Sequence, residues 1–261
     1  MRGEMIMHNR PIGRPKVRPI TASDITNSLR AGLSDFRAAP IPGLFFANFY
    51  VLGGLIMTWI TYVTGSTFWL VLAVMGFPLI GAFAALGLYE TSRRRAAGEP
   101  LNLREIAAVV WAHKAGQLPW LAVILVILFL FWFFLGHMIF ALFLGLSPMT
   151  NVHTSTEVYF SSNGLKMFGF GTLIGAGFAS LTFAVSVLGM PMFLDRDVDF
   201  VTAMITSFQA VKAQPVLYLL WGVFVGITTF VAMIPAFLGL FIALPVLGHA
   251  TWHLYKAATA D

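Results

Sequence analysis

The chain's capacity for proton, metal or redox chemistry rests on six histidines and eleven carboxylates, because it has no cysteine. Disulfides, thiolate metal sites and thiol catalysis are thereby excluded. His249 and His253 stand four apart and share one helix face, a spacing that can hold a metal or a haem. No third ligand is evident, and Trp252 and Tyr255 beside them suit an aromatic belt at a membrane interface. His137 is the one ionisable residue deep inside an apolar run, which makes it a functional candidate. It lacks a carboxylate partner in any such run, so a neutral packing histidine is the competing reading. Asp195-Arg196-Asp197 and Arg93-Arg94-Arg95 are the other concentrated charges. Neighbouring carboxylates in an exit loop have no evident pocket and do not read as an acid–base pair. Asp195-Arg196-Asp197 reads as a lock on the following amphipathic helix against a cytosolic neighbour or as a partner contact, and Arg93-Arg94-Arg95 as a stop and orientation signal, with a head-group or partner site as its alternative. No catalytic residue, metal site or cofactor is expected.

The elements that would position these residues are membrane helices. Hydrophobic residues make up 58% of the 261-residue chain and charged residues 10%, with 25 Phe. A soluble domain carries about 25% charge, and a bilayer crossing needs about 20 apolar residues. Six spans are expected: Gly43–Val63, Phe68–Tyr89, Trp120–Leu144, Met167–Met190, Val216–Met233 and Pro235–Tyr255. The first two join through a tight turn at Thr64-Gly65-Ser66, and the last two through a turn near Ile234-Pro235. Residues 1–20 read as a flexible basic tail, 21–256 as one transmembrane domain and 257–261 as a short tail.

Fifteen of the sixteen Lys and Arg fall in segments that this topology puts on one side, and only Lys166 on the other. The positive-inside rule then places both termini in the cytoplasm. The net charge of +5 is a topology signal and an attraction to anionic head groups, roughly 1 kcal/mol per basic residue near the surface. Nucleic-acid binding has no separate support.

Each odd-numbered span is preceded by a short stretch with apolar residues at helical spacing, then a proline. The first is Asp24–Ala38 with Ile25, Leu29, Leu33 and Phe36, with Ser23 placed to cap it. The second is Asn102–Lys114 and the third Asp199–Ala213. Pro40, Pro119 and Pro215 follow. The unit of interfacial helix, proline and hairpin occurs three times. It reads either as a device that seats each hairpin in the bilayer or as a pseudo-threefold bundle around a cavity. Gly171 with Gly175, and Gly222 with Gly226, are spaced for close helix approach, with Gly169 and Gly177 widening the first strip. Phe129–Phe134 (FLFWFF) is bulky all round and suits lipid or another subunit.

The stretch from Gly189 to Asp199 (GMPMFLDRDVD), the helix ending AVKAQP at Pro215, and Leu244–Tyr255 (LPVLGHATWHLY) resemble a bacterial family of integral membrane proteins, domain of unknown function 2189. The resemblance covers residues 20–256 and implies an inner-membrane location and no established activity. Some members carry the label of cytochrome c oxidase subunits. A catalytic haem–copper subunit needs about six histidines from several spans, in keeping with haem ligation. Here His8 lies in the tail, His113 in a cytosolic helix and His153 in an outer loop, which excludes that role. The string His153 to Tyr159 echoes an oxidase motif without its spacing.

Three functional classes follow. The first is a non-catalytic accessory, assembly or scaffold component of a membrane complex, with a respiratory complex as one partner class. The second is a transporter or lipid-handling protein with a central cavity. The third is a haem- or metal-binding protein using His249 and His253.

Overall fold

The computed structural model describes residues 10–65, 70–145 and 157–259. It is built of helices: α1 (Ala22–Ala38), α2 (Pro40–Thr64), α3 (Leu70–Ala96), α4 (Leu103–Ala112), α5 (Leu118–Leu144), α6 (Glu157–Phe160), α7 (Ser162–Ser186), α8 (Gly189–Asp195), α9 (Phe200–Ala213), α10 (Pro215–Met233) and α11 (Leu240–Ala258). A 3-10 turn, His113–Ala115, links α4 to α5. His153 and Ser66 lie outside the described residues.

Prolines set the helix breaks. Pro40 and Pro215 each open a helix at its first position, where a missing N–H costs nothing. The residue before each is forced out of the helical region. Ala39 has φ −140° and ψ 71°, and Gln214 has φ −137° and ψ 64°. Two of the three junctions therefore share one backbone geometry. The third departs from it, because Gly116 and the 3-10 turn stand between α4 and Pro119.

Four stretches are long and apolar enough to cross a membrane among the described residues: Pro40–Thr64, Leu118–Leu144, Ser162–Asp195 and Pro215–Met233. The third comprises α7 and α8. The two other expected spans are helices α3 and α11, which are not among these four. Helix α11 is diluted by His249, Trp252, His253, Tyr255 and Lys256, and α3 ends in Glu90 and three arginines. The chain turns between α10 and α11 over residues 234–239, where Ala236 and Phe237 take positive φ.

The core gathers where α3, α4, α8, α9 and α11 meet. Leu86, Ile106, Leu188, Met192, Ala203 and Leu254 are fully enclosed there. Helix α11 packs most extensively on α1, and α5 lies against α3 and α7. Away from this end the spans turn apolar side chains outward. Phe131, Phe134, Leu142, Ile227 and Phe230 are all exposed, as the aromatic run of α5 leads one to expect.

Local contacts add detail at three places. The N-cap of α1 is Thr21 rather than Ser23: its hydroxyl accepts from the Asp24 N–H while Asp24 accepts from the Thr21 N–H, a reciprocal capping box. From Arg10 onward the basic stretch before α1 lies as a strap against the helices. Gly13 N–H donates to Asp197 O, Arg18 N–H to Ala258 O, and Ile20 exchanges hydrogen bonds with the Gln214 side chain. One glycine of each pair is close to a neighbour: a Cβ on Gly175 would sit 3.2 Å from Trp132 Nε1 and one on Gly222 3.3 Å from the Phe183 ring, while Gly169, Gly171, Gly177 and Gly226 have open space beside them. Backbone approach is tighter at Gly32, where an added Cβ would sit 2.6 Å from Val246 O and Ala250 N.

Candidate functional site: an ionic cluster joining α1, α3 and α11

Helix α1 meets α11 through a stripe of small and polar residues. Ser28, Gly32 and Asp35, at positions i, i+4 and i+7, are its buried set. They lie on one face by helical spacing, beside the strip of Ile25, Leu29, Leu33 and Phe36, which are partly covered. Gly32 permits the backbones to touch, and that contact carries Asp35 into the bundle. There His253 Nε2 stands 2.7 Å from Asp35 Oδ2. Arg95, from the end of α3, pairs with the other oxygen and reaches Ser34 at 3.2 Å. Burial alone would raise the Asp35 pKa. Hydrogen bonds from His253, Ser92 and Arg95 outweigh it and hold the carboxyl at about 2.

Ser92 extends the cluster. Its hydroxyl lies 2.9 Å from His249 Nδ1, which is also 3.0 Å from Leu88 O. A carbonyl can only accept, so Nδ1 carries the proton. Ser92 is then free to donate onward to Asp35. The His249–Ser92 pair thus stands beside the Asp35–His253 pair where three helices meet. His249 is fully buried, and its Nε2 has no hydrogen-bond partner.

Glu90 anchors a second group one turn earlier on α3. Its side chain is fully enclosed. Arg93 donates to both its oxygens at 2.7 and 2.9 Å, and Arg94 Nε to one at 2.7 Å. Arg93 continues to Glu99 at 3.0 Å, and Arg94 to Glu105 at 2.7 Å and Pro100 O at 3.1 Å. The Glu90 and Glu99 carboxylates hold Arg93 well above its ordinary range. The loop from α3 to α4 is folded back by these bonds.

The Asp195-Arg196-Asp197 run performs a similar task for the chain termini. Asp195 accepts from the Tyr255 hydroxyl at 2.8 Å and from Lys256 at 3.1 Å, both on α11. Asp197 pairs through its backbone with Pro11 and Gly13 of the strap. Nearby, His113 is buried with Nδ1 2.8 Å from Val109 O, and Nε2 3.2 Å from Phe193 O and 3.3 Å from Arg10. Burial first, and the Arg10 charge with it, lower its pKa below the ordinary imidazole value.

The candidate residues therefore separate. His249 and His253 share the α11 face but reach different partners rather than one common point, and no metal-holding group of three occurs among the described residues. His137 bonds to Phe133 O in its own helix at 2.8 Å and rests on the Phe133 ring. The arginine triplet is engaged with internal carboxylates, which favours its structural reading. Asp35 and Glu90 organise the cluster, yet neither stands out in the sequence. The one signal for Asp35 is the small–polar stripe of α1. Glu90 has Arg93 and Arg94 at i+3 and i+4.

Residues 70–195 match the family model described as predicted integral membrane protein (DUF2189). The matched DUF2189 segment holds Glu90, the arginine triplet, His113 and Asp195. Asp35, His249 and His253 lie outside it. No curated protein and no solved structure matches the chain.

Proposed function

We propose that the chain is a non-catalytic multi-pass membrane protein that serves as an accessory or assembly component of a membrane complex. The observation that carries this reading is the way the polar residues are used. Asp35, Arg95 and His253 are bonded across α1, α3 and α11 and fix helix positions, while Glu90 with Arg93 and Arg94 organises the end of α3 and the loop after it. A catalytic or transport site needs polar groups aimed at a cavity; this cluster faces itself. The apolar flanks of the four long helices are turned outward, where lipid or a membrane partner would cover them.

In this reading α3 and α11 also cross the bilayer, giving six spans in a bacterial inner membrane with both termini cytoplasmic. The basic residues then gather on one side, with Lys166 opposite. Helices α1, α4 and α9 lie at the cytoplasmic interface, each leading through a proline into a hairpin. Arg93, Arg94 and Arg95 sit at head-group depth and are neutralised there by their own carboxylates.

The reading is tested by removing the chain from its native cell. The abundance of an assembled membrane complex should fall, with the turnover of each remaining assembled complex unchanged. If every membrane complex keeps its abundance, the assembly role is wrong.

A further inference from the structure

A cleft of about 520 Å³ lies between the strap and the junction of α9 with α10, within the range of roughly 300–1,000 Å³ common for small-molecule sites. Arg14, Lys16 and Arg18 form one wall, and Gln209, Gln214 and Tyr218 line the other. Arg18 shares its charge with Asp24 at 3.1 Å. Arg14 and Lys16 are exposed and have no carboxylate partner among the described residues. Tyr218 is the second and independent observation. Its side chain is only 1% exposed, yet its hydroxyl has no hydrogen-bond partner. A buried hydroxyl left unpaired costs stability, and this one lines a cleft walled by cations.

The end of α10 adds to the same field. Pro215 opens this 19-residue helix, and no side chain caps it, because Gln214 is occupied with the strap at Ile20. The positive end of the helix dipole therefore abuts the cleft. Positive charge on one wall, a buried hydroxyl donor and an uncapped helix start suit an anion with several acceptor oxygens.

We propose that this cleft binds a phosphate-bearing ligand, with Arg14 and Lys16 supplying charge and the Tyr218 hydroxyl donating to a phosphate oxygen. The ligand is a phospholipid head group or a soluble phosphate. The arginine triplet is not part of this site, since its charges are engaged elsewhere.

The test uses the full chain in an uncharged detergent, with thermal unfolding followed while probe is added. The probes are inorganic phosphate and dioctanoyl phosphatidic acid, with dioctanoylglycerol as the phosphate-free control. At least one phosphate probe should stabilise the wild type, and dioctanoylglycerol should not. Half-saturation should weaken about tenfold in the R14Q/K16Q double variant and roughly threefold in Tyr218→Phe, for loss of one hydrogen bond. K212Q, which changes an exposed lysine outside the cleft, should bind as the wild type. Stabilisation by phosphatidic acid at much lower concentration than by inorganic phosphate identifies a lipid head group; equal response identifies a soluble phosphate. No stabilisation of the wild type by either probe overturns the proposal. So does an undiminished response in R14Q/K16Q or in Tyr218→Phe.

Discussion

His253 Nε2 and Asp35 Oδ2 stand 2.7 Å apart although 218 positions separate them in the chain. This bond closes α11 onto α1 and completes a cluster in which Arg95 of α3 holds the other carboxylate oxygen. The ionised state of Asp35 is therefore tied to the docking of three helices. A carboxylate whose folded pKa is depressed contributes stability above its ordinary pKa and loses it as pH falls through the folded value. Here the window runs from 3.8 down to about 2. Hydrogen exchange of α1 should accelerate across that window. In Asp35→Asn the acceleration should be absent from that range; an unchanged acid profile in the variant would refute the link.

Removing Glu90 should cost far more than removing Glu99. Glu90 is enclosed and serves two arginines, whereas the Glu99 side chain is 37% exposed. Breaking a buried pair costs about 3–5 kcal/mol, with the low end expected here because Arg93 and Arg94 keep Glu99 and Glu105. An exposed pair contributes roughly 0.2–1 kcal/mol. Unfolding of Glu90→Ala and Glu99→Ala in the same detergent measures both. Equal losses would show that burial does not govern the cluster.

Gly32 should tolerate no side chain. A Cβ there would meet Val246 O and Ala250 N at 2.6 Å, and backbone atoms cannot swing aside. Gly32→Ala should destabilise by about 1–3 kcal/mol, as overpacking does. Gly171→Ala, with open space beside it, should be close to neutral. Thermal unfolding of the two variants separates them, and the reverse order would contradict the α1–α11 contact.

Much of this architecture is legible in the sequence, and the reasons differ by element. The apolar runs of α2, α5, α7 and α10 declare themselves, because length and hydropathy are local properties. The breaks at Pro40 and Pro215 are equally local, since a proline constrains the residue before it. Asp35 and Glu90 are not legible in this way. Each is a single charge beside other charges, and only tertiary contact decides which one is enclosed. The apolar spacing of Ile25, Leu29, Leu33 and Phe36 marks the partly covered strip of α1 beside the fully buried one. The stripe of Ser28, Gly32 and Asp35 was the usable signal. His249 and His253 show the converse limit: a shared helix face is visible in sequence, but convergence on one ligand is not.

The absence of cysteine allows orientation to be read by single-cysteine labelling. Arg104→Cys and Lys212→Cys should react with a membrane-impermeant maleimide only in inverted vesicles or broken cells, and Lys166→Cys in intact spheroplasts. All three positions are exposed. Labelling of all three from one side would remove the six-span arrangement.

The most direct test of an assembly role is purification of the intact chain from its native membrane in a mild detergent, with mass spectrometry of every protein that accompanies it. The account predicts recovery in a larger assembly, with the same membrane-complex subunits returning in fixed ratio across preparations. Recovery of the 28.6 kDa chain without any reproducible protein companion would contradict it.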